Sequence, residues 1–385
     1  MRIGILTFHR PVNYGAFLQS FSLSGEIKRR FPAAEVEIID YIAPREQRKI
    51  YLNVLRELKY RGIKSMLCEI KKIKVFEQSL RFLPLSKEHL CTDNISNLYE
   101  YISDRYDYLV IGSDAVLNWK QNGYPSAFYP PKECRIPALG YAVSAHGLEY
   151  NSITDEQKRS CKDSFGRFCF IGARDSNTVR FIQQNGGADK LEHVCDPTFF
   201  ISVESVNKNA GEWKSRISKK YGFNFDGEYV VLMVNDEDIT REVYSYYKEK
   251  YKVITLFKNT ANSDIFMYDL TPFEWVKVLE GAKVVFTQYF HGALLSLVVN
   301  TGIIAVDMAG DNSVYESKLH DVIASRMSLP EIYFTKSGAK DTNKLIAAAD
   351  RVIAGEFSRR IEEAINNERK TSEKFFDELS RCMNE

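Results

Sequence analysis

Residues 283–300 read KVVFTQYFHGALLSLVVN, and this stretch predicts the fold class of the chain. Its first part, Lys283–Thr287, is rich in β-branched and aromatic residues, which predicts a buried strand. After a short turn, Ala293–Asn300 is apolar and predicts a buried helix. A strand that is followed within a few residues by a helix is the repeating unit of a parallel α/β sheet.

Similar strand and helix patterns recur along the rest of the chain. Further predicted strands are Ile3–Phe8, Glu35–Tyr41, Tyr108–Ile111, Ile136–Val143, Cys169–Ala173, Glu192–Cys195, Tyr229–Val234, Lys252–Phe257 and Ile303–Asp307. Further predicted helices are Ala16–Arg30, Asp175–Gln184, Ile239–Lys250 and Pro272–Gly281. The alternation predicts an α/β protein with two series of strand-helix units.

A polar stretch that is poor in strand formers separates the two series. This stretch, residues 202–227, predicts a linker region between an N-terminal lobe (residues 1–201) and a C-terminal lobe (residues 228–340). A basic helical insertion, residues 50–100, interrupts the first lobe. Residues 341–385 form a charged helical tail, which we expect to pack on the first lobe.

Composition and charge narrow the class of protein. The chain has 385 residues with 52 basic and 51 acidic side chains, and the net charge of +1 argues against a nucleic-acid binder. Seven cysteines without a CxxC pair or a metal-ligand spacing predict reduced thiols and no metal site. The sequence shows neither a signal-peptide pattern nor a run of about 18 uncharged apolar residues, so we expect a cytoplasmic protein without a transmembrane helix.

The insertion is strongly basic. Between residues 56 and 81, eight basic side chains stand against three acidic ones, and apolar residues such as Leu55, Leu58, Ile63 and Phe76 recur at helical intervals. One interpretation is an amphipathic helix that covers the first lobe with its apolar face. The other is peripheral contact with the anionic inner face of a membrane or with a lipid-linked substrate.

Ligands of open α/β sheets bind beyond the carboxyl ends of the strands, so the loops that follow strands hold the candidate site residues. After the first strand, Asn13 and Gly15 either bring backbone close to a ligand or form a capped turn. Ser113 and Asp114 follow the strand Tyr108–Ile111. The carboxylate of Asp114 either accepts a proton from a sugar hydroxyl or caps a helix.

Two further loops of the first series carry charged residues. Arg174 and Ser176 follow the strand Cys169–Ala173. The guanidinium of Arg174 either clamps a phosphate or carboxylate of a ligand or pairs with Asp175 at the surface. Asp196 precedes a proline, which predicts a structural turn.

The turn in the opening stretch carries His291, and Gly292 allows close backbone approach there. The positive end of the following helix disfavours an imidazolium, whereas a bound phosphate favours it. A histidine in this position suits proton exchange with a substrate, and the alternative is a structural turn residue. The sequence contains no P-loop, nucleophile elbow, GxGxxG or HExxH motif.

Taken in order, these loops resemble the polysaccharide pyruvyl transferase family. The resemblance runs from about residue 3 to residue 335. Its seven pieces are Asn13-Tyr14-Gly15-Ala16 with Leu18-Gln19, Gly112-Ser113-Asp114 with Asn118, Tyr141-Ala142-Val143-Ser144, Ala173-Arg174-Asp175-Ser176, Asp196-Pro197-Thr198, Phe290-His291-Gly292 and Asp311-Asn312-Ser313. Each piece is short, but seven of them in register are fairly specific.

The resemblance implies two Rossmann-like lobes with parallel sheets, arranged as in B-type glycosyltransferases, with the active site in the cleft between the lobes. It implies transfer of an enolpyruvyl-derived group from phosphoenolpyruvate to a sugar or lipid-linked glycan, which gives a pyruvate ketal on a cell-surface polysaccharide precursor. No cofactor besides this donor is implied. The implied catalytic residues are His291 and Asp114; the donor-binding residues are Arg174, Tyr289, Gly292 and Ser176; and the acceptor-side residues are Asn13, Gly15, Ser113 and Asn118.

One position departs from the family pattern. Family members that bind phosphoenolpyruvate often carry an arginine two residues before the histidine, and here that residue is Tyr289, preceded by Gln288 where aspartate is common. Lys258 and Lys318 are possible substitutes for the missing cation. Two alternatives stay open: a transferase of the same fold with another donor, such as a nucleotide sugar, and a non-catalytic glycan-binding homologue. The oligomeric state also stays open.

Overall fold

The computed structural model describes residues 1–257, 261–309 and 317–384, which form two compact units. The first unit contains Met1–Met66, Phe76–Phe200 and the chain from Glu368 onward. The second unit contains Leu67–Val75 and Ile201–Asn367.

Short strands alternate with helices in both units. In chain order the strands are β1 (Arg2–Leu6), β2 (Glu35–Ile38), β3 (Tyr41–Ile42), β4 (Leu90–Cys91), β5 (Tyr108–Ile111), β6 (Ala138–Val143), β7 (Phe168–Ala173), β8 (Leu191–His193), β9 (Tyr229–Met233), β10 (Lys252–Leu256), β11 (Ile265–Met267), β12 (Val285–Thr287), β13 (Ile303–Asp307) and β14 (Tyr333–Thr335). The helices are α1 (Tyr14–Arg30), α2 (Pro44–Ser79), α3 (Ile95–Arg105), α4 (Trp119–Asn122), α5 (Asp155–Arg167), α6 (Ser176–Gln184), α7 (Val203–Ala210), α8 (Trp213–Tyr221), α9 (Glu237–Tyr247), α10 (Pro272–Glu280), α11 (Phe290–Val298), α12 (Thr342–Ile353), α13 (Ser358–Lys370) and α14 (Glu373–Asn384).

The first unit is built on a six-stranded sheet in the order β2-β1-β5-β6-β7-β8, and all neighbouring strands are parallel. The register places Ile3 of β1 opposite Val36 of β2 and Tyr108 of β5. Every residue of β6 is buried, as expected for a parallel sheet that is covered on both faces. The carboxyl ends of these strands, and the loops that follow them, therefore lie along one edge.

The second unit repeats this plan with the order β11-β10-β9-β12-β13-β14, again with parallel neighbours. The central strand β9 and the strand β13 are buried along their whole lengths. In each sheet the chain first adds strands on one side of its opening strand and then crosses to the other side. Ligands of α/β proteins bind at the carboxyl edge beside such a crossing point.

The predicted fold class is confirmed, and the differences from the predicted elements have local causes. Strands β3, β4, β11 and β14 were not predicted, because segments of two or three residues show no periodicity. The segment 202–227, predicted to be a linker region, contains helices α7 and α8. Their apolar residues Val206, Trp213 and Ile217 are buried, so the segment packs within the second unit.

The basic insertion differs from its prediction in length and in burial. It forms α2, which begins at Pro44, ends at Ser79 and bends at Gly62, where φ is 84°. Only Phe76 and Ser79 of this helix are buried. The lobe-covering interpretation therefore applies to its C-terminal end alone. No helix in the described part of the chain is long and apolar enough to cross a membrane.

Only the end of the predicted tail packs on the first unit, because α12 and most of α13, up to Asn367, belong to the second unit. The hydroxyl of Ser372 lies 2.9 Å from that of Tyr141, and the Tyr108 hydroxyl donates to the carbonyl of Cys382 at 3.0 Å. Phe375 is fully buried, with its ring centroid 4.6 Å from that of Tyr141. Helix α14 thus completes the core on one face of the first sheet.

We predict that Phe375→Ala lowers the free energy of unfolding by about 3–5 kcal/mol, because the truncation leaves a cavity beneath α14. The measurement is urea unfolding followed by circular dichroism. Asp377→Ala on the exposed side of the same helix is the matched control and should change the value by no more than about 0.5 kcal/mol. Equal stabilities of the two variants would mean that α14 is not part of the cooperative core.

Candidate active site

Hydrogen bonds join the loops at the carboxyl edge of the first sheet beyond the ends of the strands. The amide of Ser144 donates to the carbonyl of Asp114 at 2.8 Å, and the amide of Arg174 donates to the carbonyl of Val143 at 3.1 Å. Asp114 has a φ of 75°, which is unfavourable for a residue with a side chain. Gly112 is required beside it, since a Cβ there would lie 2.0 Å from the carbonyl oxygen of Tyr141.

Arg174 lies at the centre of this edge, and its guanidinium is held by two carboxylates. One terminal nitrogen is 3.0 Å from Asp114 and the other is 2.9 Å from Asp196. The side chains of Arg174 and Asp196 are 1% and 0% exposed, whereas that of Asp114 is 16% exposed. Asp114 is therefore the member of this trio that can reach a ligand.

The electrostatic balance of the edge favours a positioning role for Arg174. Burial alone lowers the pKa of Arg174, but the nearby carboxylates of Asp114, Asp196 and Asp175 raise it above its usual value. One cation among three carboxylates leaves the group negative overall, so an incoming anion would have to compete with Asp114 and Asp196 for the guanidinium. The predicted donor-binding role of Arg174 remains a prediction.

Asp196 and Gln19 are site residues that the sequence analysis did not single out for function. Asp196 was interpreted as a turn residue, yet its carboxylate accepts from Arg174, from Gln19 at 2.6 Å and from the amide of Thr198 at 2.9 Å. The signal was present in the position of Asp196 three residues after β8, at the same edge as Arg174.

The predicted acceptor-side residues have structural contacts. Asn13 caps α1 by accepting from the amide of Ala16 at 3.2 Å, and Gly15 is buried within that helix. Asn118 caps α4 and donates to the carbonyl of His146 at 3.0 Å. The Ser113 hydroxyl is buried and has no hydrogen-bond partner among the described residues. Gly15 has no side chain, and of the three polar side chains Ser113 is the one whose hydroxyl makes no hydrogen bond within the described part of the chain.

A second ionic cluster lies at the same edge, after β1 and β2. The Nε2 atom of the fully buried His9 is 3.0 Å from Asp40, and the Arg10 Nε donates to the same carboxylate at 2.6 Å. Burial raises the pKa of Asp40, but the contacts with His9 and Arg10 outweigh this effect and hold it well below its usual value. No local pattern around His9 predicts this contact, which arises because the neighbouring parallel strands β1 and β2 place these residues together.

A cavity of about 310 Å³ opens beside this cluster within the first unit. Its walls include the aromatic residues Phe8, Tyr41 and Phe128 and the charged residues Arg45 and Asp93. Apolar walls with a few polar groups are typical of small-molecule sites of this size. Within the described parts of the chain, no group of three or more His, Cys, Asp or Glu side chains is arranged to hold a metal ion.

Of the four remaining predicted site residues, Ser176 is the exposed first residue of α6 in the first unit, and the other three lie at the start of α11 in the second unit. Tyr289 is the N-cap of this helix but makes no side-chain capping hydrogen bond, and the Tyr289 amide donates to the Thr287 hydroxyl at 3.0 Å. His291 follows as the second helical residue and is half-buried. A Cβ on Gly292 would lie 2.8 Å from Thr287 Oγ1 and from Met233 Cε, so only glycine fits there without displacement.

The surroundings of Tyr289 explain how the turn tolerates the absence of an arginine. The Tyr289 ring packs against Phe257 with centroids 6.2 Å apart, and burial raises the pKa of Tyr289. Gln288 accepts from the amide of Asn235 at 2.7 Å and so ties this turn to the loop after β9. Lys258 and the motif Asp311-Asn312-Ser313 lie outside the described residues, and Lys318 is half-buried.

We predict that Arg174→Met lowers the free energy of unfolding by about 3–5 kcal/mol, because it leaves Asp196 buried without its cation. Thermal and urea unfolding measure this loss, and Arg180→Met on the exposed side of α6 is the matched control. Wild-type stability in Arg174→Met, combined with lost ligand binding, would instead establish Arg174 as the anion ligand that the sequence predicts.

Solved structures with a similar backbone support the fold. UDP-GlcNAc 2-epimerase from Neisseria meningitidis, bound to UDP-GlcNAc, is 9% identical, with a TM-score of 0.59 over 99% of this chain and 100% of that one. A putative UDP-N-acetylglucosamine 2-epimerase from Listeria monocytogenes is 8% identical, with a TM-score of 0.58 over 100% of this chain and 96% of that one. At this identity the likeness shows the fold alone, two Rossmann-like lobes of the B-type glycosyltransferase class.

The sequence comparisons identify the family. A search of curated proteins finds no match. The family model for polysaccharide pyruvyl transferase matches residues 13–309, well over half of the chain, and this range includes all ten predicted site residues. The chain therefore belongs to the polysaccharide pyruvyl transferase family and is a transferase.

Proposed function

We propose that the protein transfers a pyruvyl group from phosphoenolpyruvate to two hydroxyls of a sugar in a cell-surface polysaccharide precursor and so forms a pyruvate ketal. The family membership supports the reaction class. The observation that carries the proposal is the half-buried His291 in the first turn of α11, where a proton-exchanging group stands beside helix amides that favour an anion.

The proposed chemistry needs proton transfer and anion binding. A proton from His291 adds to C3 of phosphoenolpyruvate, C2 becomes electrophilic, and the oxygen of a sugar hydroxyl bonds to C2. A second hydroxyl oxygen then bonds to C2 as the C2–O bond to phosphate breaks. The two hydroxyl protons replace the one taken up at C3 and protonate the released phosphate. Asp114 is the proposed base for the attacking hydroxyl, because it is the partly exposed carboxylate of its cluster.

The negative charge of the donor requires a source of positive potential in its binding site. Phosphoenolpyruvate carries about three negative charges at neutral pH. The amides at the start of α11 are a source of positive potential, and the Tyr289 side chain does not cap them. Arg174 already has two carboxylate partners, so its contribution to donor binding would be indirect, through the orientation of Asp114.

A nucleotide sugar is the second candidate donor. The observation in its favour is that neither expected cation is available to bind the anionic groups of phosphoenolpyruvate. Position 289 holds a tyrosine, and Arg174 is already paired with Asp114 and Asp196. An aromatic side chain suits a nucleobase or sugar ring better than it suits phosphate. The acceptor would occupy the cavity beside Tyr41 and Phe128, whose aromatic and polar walls suit a sugar.

We predict that His291→Gln lowers kcat for acceptor-dependent phosphate release from phosphoenolpyruvate by about 10²–10⁴-fold without altering the unfolding transition. Asp114→Asn should lower it by a similar factor. Phosphorus NMR follows the release, and mass spectrometry identifies the ketal product. His320→Gln, a histidine of the second unit outside the candidate site, is the control.

Unchanged turnover in His291→Gln would show that this histidine has a structural role in the turn and no role in proton transfer. Turnover with a nucleotide sugar, and none with phosphoenolpyruvate, would establish the second donor.

We also predict that Tyr289→Arg tightens the binding of phosphoenolpyruvate by about 10–100-fold, because a charge-assisted hydrogen bond contributes about 1.5–3 kcal/mol. Isothermal titration calorimetry measures the dissociation constant, with UDP-GlcNAc as the comparison ligand. Tyr289→Phe keeps the ring and should leave binding of phosphoenolpyruvate nearly unchanged. An arginine variant that gains no affinity would show that the donor's anion does not approach this turn.

A further inference from the structure

Helix α2 carries a sharply bent and largely exposed segment, residues 48–64, which we call the bend segment. The bend is at Gly62, whose φ of 84° and ψ of 179° are not helical. The Ser65 hydroxyl donates to the carboxylate of Glu57, eight residues earlier. In a straight helix these residues would be about 12 Å apart along the axis, too far for a hydrogen bond, so the chain turns back at Gly62.

The helix contacts the first unit at two points, one at the start of the bend segment and one beyond its end. At its beginning, Lys49 donates to the carbonyl of Gln121 at 3.2 Å. Near its end, the buried Phe76 packs against Tyr14 and Phe17 of α1, with ring centroids 5.9 and 6.0 Å apart. Between these two contacts, Leu67–Val75 belongs to the second unit, whereas the bend segment itself is largely exposed.

The bend segment exposes large apolar side chains instead of burying them. Six of them are between 39% and 70% exposed: Tyr51, Leu52, Leu55, Leu58, Tyr60 and Ile63. Among the described residues, half of all exposed large hydrophobic side chains lie within these seventeen residues. A cluster of this kind marks an interaction surface, because isolated exposed apolar residues are usually scattered.

The bend segment is also strongly basic. Its basic residues are Arg48, Lys49, Arg56, Lys59, Arg61 and Lys64, and its single acidic residue is Glu57, which gives a net charge of +5. The whole chain has a net charge of only +1. Leucine and tyrosine interspersed with lysine and arginine on an exposed helix is the pattern of segments that lie in the headgroup region of a bilayer.

We infer that the bend segment binds the surface of an anionic lipid bilayer. Its leucines and Ile63 enter the boundary between headgroups and acyl chains, while Arg56, Lys59 and Lys64 contact lipid phosphates. The charge of the segment favours an anionic bilayer over a second copy of the chain. Pairing two bend segments would bring together two surfaces that each have a net charge of +5, and like charges repel. The inference goes beyond the proposed function and does not depend on the identity of the donor.

The test is co-sedimentation of the full chain with vesicles of phosphatidylcholine containing 30% phosphatidylglycerol, compared with pure phosphatidylcholine. We expect binding to the anionic vesicles in low salt and much weaker binding in high salt or to neutral vesicles. Arg56→Gln with Lys59→Gln should weaken binding by roughly 25-fold, since each basic residue contributes roughly fivefold. Lys214→Gln with Lys219→Gln on α8 is the matched charge control.

The apolar contribution is tested separately. Leu55→Ser with Leu58→Ser should weaken vesicle binding at least tenfold without changing the unfolding transition, because both side chains are exposed in the free protein. The control is Val203→Ser with Tyr246→Ser, two exposed apolar residues elsewhere. In Leu55→Trp, the tryptophan emission should shift to shorter wavelength when anionic vesicles are added.

The absence of wild-type binding to anionic vesicles in low salt would overturn the inference. Equal binding by the Leu55 and Leu58 double variant would also overturn it, because the apolar side chains would then not enter the bilayer. A wild-type dimer that the same double variant makes monomeric, without vesicle binding, would assign the surface to self-association.

Discussion

The buried guanidinium of Arg174 is the interaction on which the first unit's candidate site depends. It joins Asp114, which follows β5, to Asp196, which follows β8, and so fixes loops from strands on opposite sides of β6 and β7. Neither Arg174 nor Asp196 is accessible to solvent, so each ion requires the other. The carboxylate of Asp114 is the one group of this trio that is both held in place and partly exposed.

In the second unit, close backbone packing fixes the loop that carries the candidate site residue. The Thr287 hydroxyl accepts from the Tyr289 amide, and Gly292 packs against the same hydroxyl with no room for a Cβ. The turn that carries His291 is therefore defined by a strand end, a hydroxyl and a glycine instead of by an ion pair. The fold of this turn therefore does not depend on a charged side chain at position 289.

The two units thus supply different chemical resources. The first unit provides carboxylates, a sugar-sized cavity and, on α2, an exposed apolar and basic surface. The second provides a histidine beside helix amides. A bend segment that binds the membrane would bring the first unit to the surface where a lipid-linked acceptor is located.

The α/β class, most strand positions and the loops with candidate site residues follow from the amino-acid sequence, because strand and helix periodicities are local and parallel sheets gather their carboxyl ends at one edge. The sequence also contains the motifs of the pyruvyl transferase family. The pairing of the charged groups is visible only in the folded chain. Arg174 lies between Asp114 and Asp196 and not beside a solvent-exposed Asp175, and His9 and Arg10 share Asp40. The folded chain likewise shows that Leu55 and Leu58 face solvent although their spacing suits packing. These outcomes depend on contacts between residues far apart in the chain, and periodicity contains no information about which distant partner, or whether any partner, covers a given face.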